Sequence, residues 1–165
     1  MSGLLNHTPA DIVRHLLMSF GIVSLPEDSE AWPMFYKFLP DGEEVPDEVT
    51  CIYDTAGLIE GRTQNDGETI KAHGINITVQ SIDGAVAYVK AVAICNAFDV
   101  RVRRNLVQIG QDEYGVSVIN QTGDILPLGR NMTAKHRRHS CSINAIAVLR
   151  AIQQAGTGTG TGSGT

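Results

Sequence analysis

The chain has 165 residues, 42% of them hydrophobic and 19% charged, with a formal net charge of −5, which is the size and composition of one soluble domain with its own core. No run approaches the ~20 apolar residues of a membrane helix, and the opening MSGLLNHTPAD has neither the basic start nor the apolar centre of a secretory signal. The three cysteines, Cys51, Cys95 and Cys141, form no CxxC pair and read as free, buried thiols of a reducing compartment.

Thr8-Pro9-Ala10-Asp11 is a helix start. The threonine caps, the proline suits the first turn, and Asp11 sits where a carboxylate reaches back. Ile12, Val13, Leu16, Leu17 and Phe20 mark one apolar face, and Gly21 ends the helix. Residues 25–30 read as a loop, and 32–38, WPMFYKF, as a strand with Pro33 near its beginning, where an edge position is tolerated. An acidic, turn-rich connection (40–48) leads into a short strand, VTCIYD, at 49–54. From 55 to 72 glycines and charges are mixed with no apolar period, so this stretch reads as a long exposed loop, where partner contacts often sit.

Residues 73–99 organise the rest. Ile75, Ile77 and Val79 alternate with Asn76, Thr78 and Gln80, the period of a strand with one buried face. Asp83 then caps a helix that Asp99 closes. Between Ala85 and Phe98 only Lys90 and Asn96 are plainly polar, and a helix apolar nearly all round must be covered on more than one side. One side fits the sheet; the amphipathic helix that starts at Thr8, or another subunit, is the candidate cover for the other. A strand at 101–109, a turn at Gly110-Gln111-Asp112 and a strand through Tyr114, Val116 and Val118 follow. After a turn at 121–124 come a short apolar stretch (125–128), a basic polar stretch (129–138) and a last strand at 140–150. The expected fold is α/β of the α+β type, a single domain at residues 1–155. The remaining GTGTGTGSGT, residues 156–165, has no apolar side chain to bury. It is expected to be disordered in the free chain and to dock as an extended strand on a different chain, an adjacent subunit or the next ring.

Charge is uneven. Residues 1–66 carry three basic and twelve acidic side chains, and residues 67–165 ten basic and six acidic. Opposite potentials of this kind fix register between copies, so Glu43, Glu44 and Glu48 are expected to face Arg101, Arg103, Arg104, Arg137 and Arg138 of a neighbour. The loop residues Gly57, Glu60, Arg62, Asp66 and Lys71 are the candidate docking surface for a larger partner.

Three patterns resemble chemistry. Asp54-Thr55-Ala56-Gly57 is similar to the DxxG switch of GTPases, but that chemistry needs a GxxxxGK[ST] phosphate loop, and neither a Gly-Lys pair nor NKxD occurs. The plainer reading is a turn begun by an aspartate. The basic run Lys135-His136-Arg137-Arg138-His139 has no interleaved aromatics and sits in an acidic chain, which favours protein ion pairs over a nucleic-acid site. His139 and Cys141 point the same way on a strand, yet Cys141 continues the apolar alternation into Ile143, Ala145 and Ala147. No catalytic residue, cofactor-binding residue or metal ligand is assigned.

The order of residues resembles a known family. Trp32-Pro33, VTCIYDTAG at 49–57, and INITVQS at 75–81 running into the helix AYVKAVAICNAF are similar to the tail terminator proteins of long-tailed bacteriophages. So is the end of the chain, with Leu128-Gly129-Arg130-Asn131, a basic residue at Arg137, and SCSINAIAVL with Asn144. Tail-completion and minor-capsid relatives look alike. The resemblance spans residues 8–150 and implies a mixed, mostly antiparallel sheet with two helices packed on one face, in a structural virion protein, not an enzyme. It implies a hexameric ring that caps the tail tube, stops its polymerisation and joins the tail to the neck. Implied partners are further copies of the chain, the tail tube protein and the head–tail connector. DNA passes through the lumen without sequence-specific binding, and no membrane is involved. The implied location is the head-proximal end of the virion tail, reached from the host cytoplasm. A head-side neck protein is the alternative of the same class. A small hydrolase or nucleotide-binding enzyme built on the DTAG turn or Cys141 is the reading of a different class.

Overall fold

Two capping devices bound the first helix. A computed structural model, which describes residues 5–28, 31–39, 45–62, 69–130 and 137–152, has α1 at Pro9–Ser19. The Thr8 hydroxyl accepts from the Asp11 amide at 3.4 Å. At the far end Gly21 takes φ +68, a conformation that costs glycine little. The Gly21 amide then donates to Met18 O (2.8 Å) and the Ile22 amide to Leu17 O (3.1 Å), satisfying carbonyls that the helix end would leave unpaired. Ile12, Val13, Leu16 and Leu17 are buried, as their spacing predicts.

Among the described residues seven strands form one sheet: β1 (Met34–Tyr36), β2 (Val49–Arg62), β3 (Thr69–Ser81), β4 (Asn105–Ile109), β5 (Asp112–Gln121), β6 (Leu126–Arg130) and β7 (His139–Ile152). Their order is β1-β2-β3-β7-β5-β4, with β6 also on β7. Only β1 and β2 run parallel; every other pairing is antiparallel. α2 (Gly84–Arg101) follows β3, and its N-cap Asp83 accepts from the Ala85 amide at 2.8 Å. The protein is therefore a single α+β domain with two helices and a mixed, mostly antiparallel, curled sheet, the fold class expected from the sequence.

The curl can be read from two consecutive residues. His7 Nδ1 lies 2.7 Å from the hydroxyl of Tyr114 on β5, while Thr8 bonds the hydroxyl of Tyr36 on β1. They reach strands from opposite ends of the sheet, and α1 accordingly packs against β1, β2, β3 and β4. α2 lies on β3, β5 and β7. Both helices share one core with Ile52, Ile75, Ile77, Val79, Ile119, Ile143 and Ala147.

Several boundaries differ from expectation. The strand expected at 32–38 is only the three residues of β1, because Trp32 and Lys37 on either side take φ +64 and +69. The long loop at 55–72 is instead the outer half of a β-hairpin: β2 continues to Arg62 and β3 begins at Thr69. Register shifts between Thr55 and Leu58 and between Ile59 and Gly61 break the period of two, so no alternation is visible there. The first bulge depends on glycine. A Cβ on Gly57 would clash with the Ala72 carbonyl, and one on Gly74 with the Ala56 carbonyl. The strand expected at 101–109 begins only at Asn105, because α2 runs on to Arg101 and Arg104 turns through φ +56. The last strand is longer than expected at both ends. Residues 153–165, and with them the Gly/Thr tail, lie outside the described residues.

Candidate functional site

α2 buries Ala87, Ala91, Ile94, Cys95, Ala97 and Phe98 against the sheet. Its other face is open. Val89 and Val100 are each 68% exposed, and Ile82, Val86 and Tyr88 are exposed beside them. The outward positions 82, 86, 89, 93, 96 and 100 step by four and three, the spacing of a helical contact seam; all are exposed, and only Asn96 is polar. α1 does not cover this seam as expected. It lies alongside, its end meeting α2 where Arg101 donates to Phe20 O (3.0 Å) and Lys90 to Ile22 O.

One flank of the seam is a groove of about 320 Å³ lined by Trp32, Ala85, Val86, Val89, Lys90 and Ala93. Trp32 adopts φ +64, rare for a bulky residue. Its ring stands 5.1 Å from the Lys90 ammonium, whose pKa burial lowers and the charge of Glu48 partly restores.

The expected charged surface divides in three. Arg101, Arg103, Arg104 and Arg137 are exposed, and among the described residues no carboxylate pairs with any of them. Arg138 is instead 5% exposed, and its guanidinium donates to Val45 O (2.9 Å) and Pro46 O (2.7 Å) of its own chain. It clasps the end of the acidic connection inside the subunit. Glu48 is half-buried; Glu43 and Glu44 lie outside the described residues.

The docking candidates Gly57, Glu60 and Arg62 sit on β2, and Lys71 is exposed on β3. Asp66 lies outside the described residues. β7 follows β3 only as far as Ala72, so beyond it the described residues of β2 and β3 pair only with each other. The arm projects ~17 Å, at ~3.4 Å per residue over 58–62.

The residues that resembled chemistry have structural partners. Asp54 Oδ1 accepts from the Ala10 amide (2.8 Å) and Oδ2 from the Tyr36 hydroxyl (3.1 Å), so the carboxylate caps α1 from β2; the expected turn at Asp54-Thr55-Ala56-Gly57 is instead strand running into the first bulge. Cys51, Cys95 and Cys141 are buried. Burial raises the pKa of each, that of Cys95 to about 11 with help from Asp99, away from the reactive thiolate. Among the described residues no group of His, Cys, Asp and Glu can hold a metal, and no helix is long and apolar enough to cross a membrane. Trp32 carried a signal only as part of the family resemblance, and its part in the groove depends on contacts across the chain.

No protein-family model matches the sequence, and no curated protein matches it.

Proposed function

We propose that this chain is a structural subunit that assembles with copies of itself into a ring, caps the tail tube of a long-tailed phage and joins it to the neck. The observation that carries the reading is the outward seam of α2, an apolar face on an 18-residue helix that no described residue of its own subunit covers. A second copy covers it. The chain's own charge supplies the complement: the first half of the chain is acidic, while Arg101, Arg103, Arg104 and Arg137 are exposed and have no carboxylate partner among the described residues. A strip ~27 Å long and ~10 Å wide falls short of the ~800 Å² that a standard interface buries per partner. The contact therefore extends onto these charges, and a free subunit of this kind associates weakly. The β2–β3 arm reaches past the sheet edge and is the element suited to a stacked tube.

Negative-stain images of the pure protein, alone and mixed with tail tubes, test the reading. Rings with a central hole, or tubes closed at one end, are expected. A protein that stays monomeric at every concentration and binds no tube contradicts it. Binding to empty heads but not to tubes moves the chain to the head side of the neck.

A further inference from the structure

A second surface lies on the helix-free side of the sheet. Val107, Tyr114, Val116 and Leu149 point into the core, so by the alternation of strands their neighbours Leu106, Gly115 and Arg150 point away from it. The register sets these three in one row, Leu106 opposite Gly115 and Gly115 opposite Arg150. Arg104, Ser117 and Val116 complete the lining of a recess of about 380 Å³.

Two features build this recess. Gly115 has no side chain, and Arg150 lies across it: a Cβ there would meet Arg150 Nε at 3.1 Å and Cγ at 3.2 Å. The second arginine is held by a turn. The Arg103 amide donates to Asn105 Oδ1 at 2.7 Å, and Arg104 follows at φ +56 with its amide directed to Ser117 O at 3.5 Å. Two arginines thus line one recess beside a serine, and neither has a carboxylate partner among the described residues.

We infer that this recess receives a carboxylate from the acidic segment of a second copy. The inference rests on the assembly reading above and names one of its contacts. The ligand must be an oxyanion, because guanidinium forks match planar, doubly accepting groups. A nucleic-acid backbone is the weaker occupant: it needs a track of cations along many phosphates, and this is a single pair in one local recess. The carboxylates are available in the same chain, with twelve in residues 1–66 against three basic groups. Among those described, Glu27, Asp28 and Asp47 are exposed. Exposed Leu106 at the rim supplies the apolar contact that shields such a pair from water.

The test compares self-association by sedimentation, with tail tubes added if the free protein needs them, for wild type, Arg104→Glu/Arg150→Glu, Arg103→Glu and Gly115→Ala. Arg103 neighbours the recess without lining it, so its reversal controls for net charge. Gly115→Ala keeps both charges but displaces Arg150. The double reversal is expected to weaken association about tenfold or more, Gly115→Ala to weaken it less, and Arg103→Glu to change it little. Mixing the double reversal with a second protein carrying Glu27→Arg/Asp28→Arg or Asp47→Arg/Glu48→Arg restores association in one of the two combinations. Equal effects of Arg103→Glu and the double reversal overturn the inference while leaving the ring intact. So does a loss that neither acidic reversal rescues, or a double reversal that loses DNA retention but keeps association. A wild type that never associates, with or without tubes, removes the assembly reading and this contact together.

Discussion

The two helices lie on the same sheet and differ in what they leave to solvent. α1 is amphipathic: its apolar positions are buried and its outward positions carry Asp11, Arg14 and His15. The Asp11–Arg14 pair closes at 2.8 Å within the subunit, with less than a fifth of either side chain exposed. α2 has apolar residues on both faces, and only one face is covered. A helix that served the monomer alone would resemble α1. The outward valines of α2 contribute nothing to the subunit's core, so their chemistry answers to something outside it.

The sharpest way to break this contrast is to make one change in each helix. Leu16→Ala removes a buried side chain and should cost about 2–5 kcal/mol of unfolding free energy, read from denaturant midpoints. Val89→Glu, at an exposed position, should stay within about 0.5 kcal/mol of wild type yet lose tube capping. A stability loss at Val89 equal to that at Leu16 would make the seam part of the monomer's core.

Smaller effects sharpen the picture of what holds the sheet around α1. Gly74→Ala places a Cβ against the Ala56 carbonyl and the Thr55 hydroxyl and should cost about 1–3 kcal/mol, with the arm's amides losing protection from hydrogen exchange first. Asp54→Ala removes the acceptor of the Ala10 amide and Tyr36 hydroxyl. It should cost about 0.5–2 kcal/mol, the range of a lost helix cap. In the wild type, labelled GTP should not bind; micromolar affinity abolished by the same substitution would restore the GTPase-like reading.

The smallest expected effect is a pH dependence. Burial lowers the pKa of His15 and His73 below the ordinary 6.5, so the unfolded chain takes up those protons first. The stability they contribute is whole above that value and declines as the pH falls through it. The denaturant midpoint should therefore drop between about pH 7 and about pH 5, and His15→Gln should flatten part of the slope. A midpoint that rises on acidification would contradict the burial of these rings.

What was legible in the sequence was local. Thr8, Pro9 and Gly21 mark α1 because caps act within a few residues, and Ile75, Ile77 and Val79 mark β3 because its pleat is regular there. The outer hairpin was not legible, because its two bulges change the side-chain phase twice within seven residues of β2, from Thr55 to Gly61. Nor was the role of Asp54, whose partner lies 44 residues away, or the burial of Arg138, whose acceptors lie more than 90 residues away. Such contacts exist only once the chain has folded. The apolar excess of α2 was visible from composition; which of its faces would stay open was not, because that depends on α1 lying beside it.

The most direct measurement uses the burial of all three native cysteines. Val89→Cys places a single accessible thiol on the seam, and its rate of maleimide labelling is followed in the free protein and in tube-bound assemblies. Labelling at the rate of an open thiol when free, slowed about tenfold or more on assembly as a copy covers the seam, is the predicted result. Equal rates in both states, with assembly intact, would show that the outward face of α2 is not where copies meet.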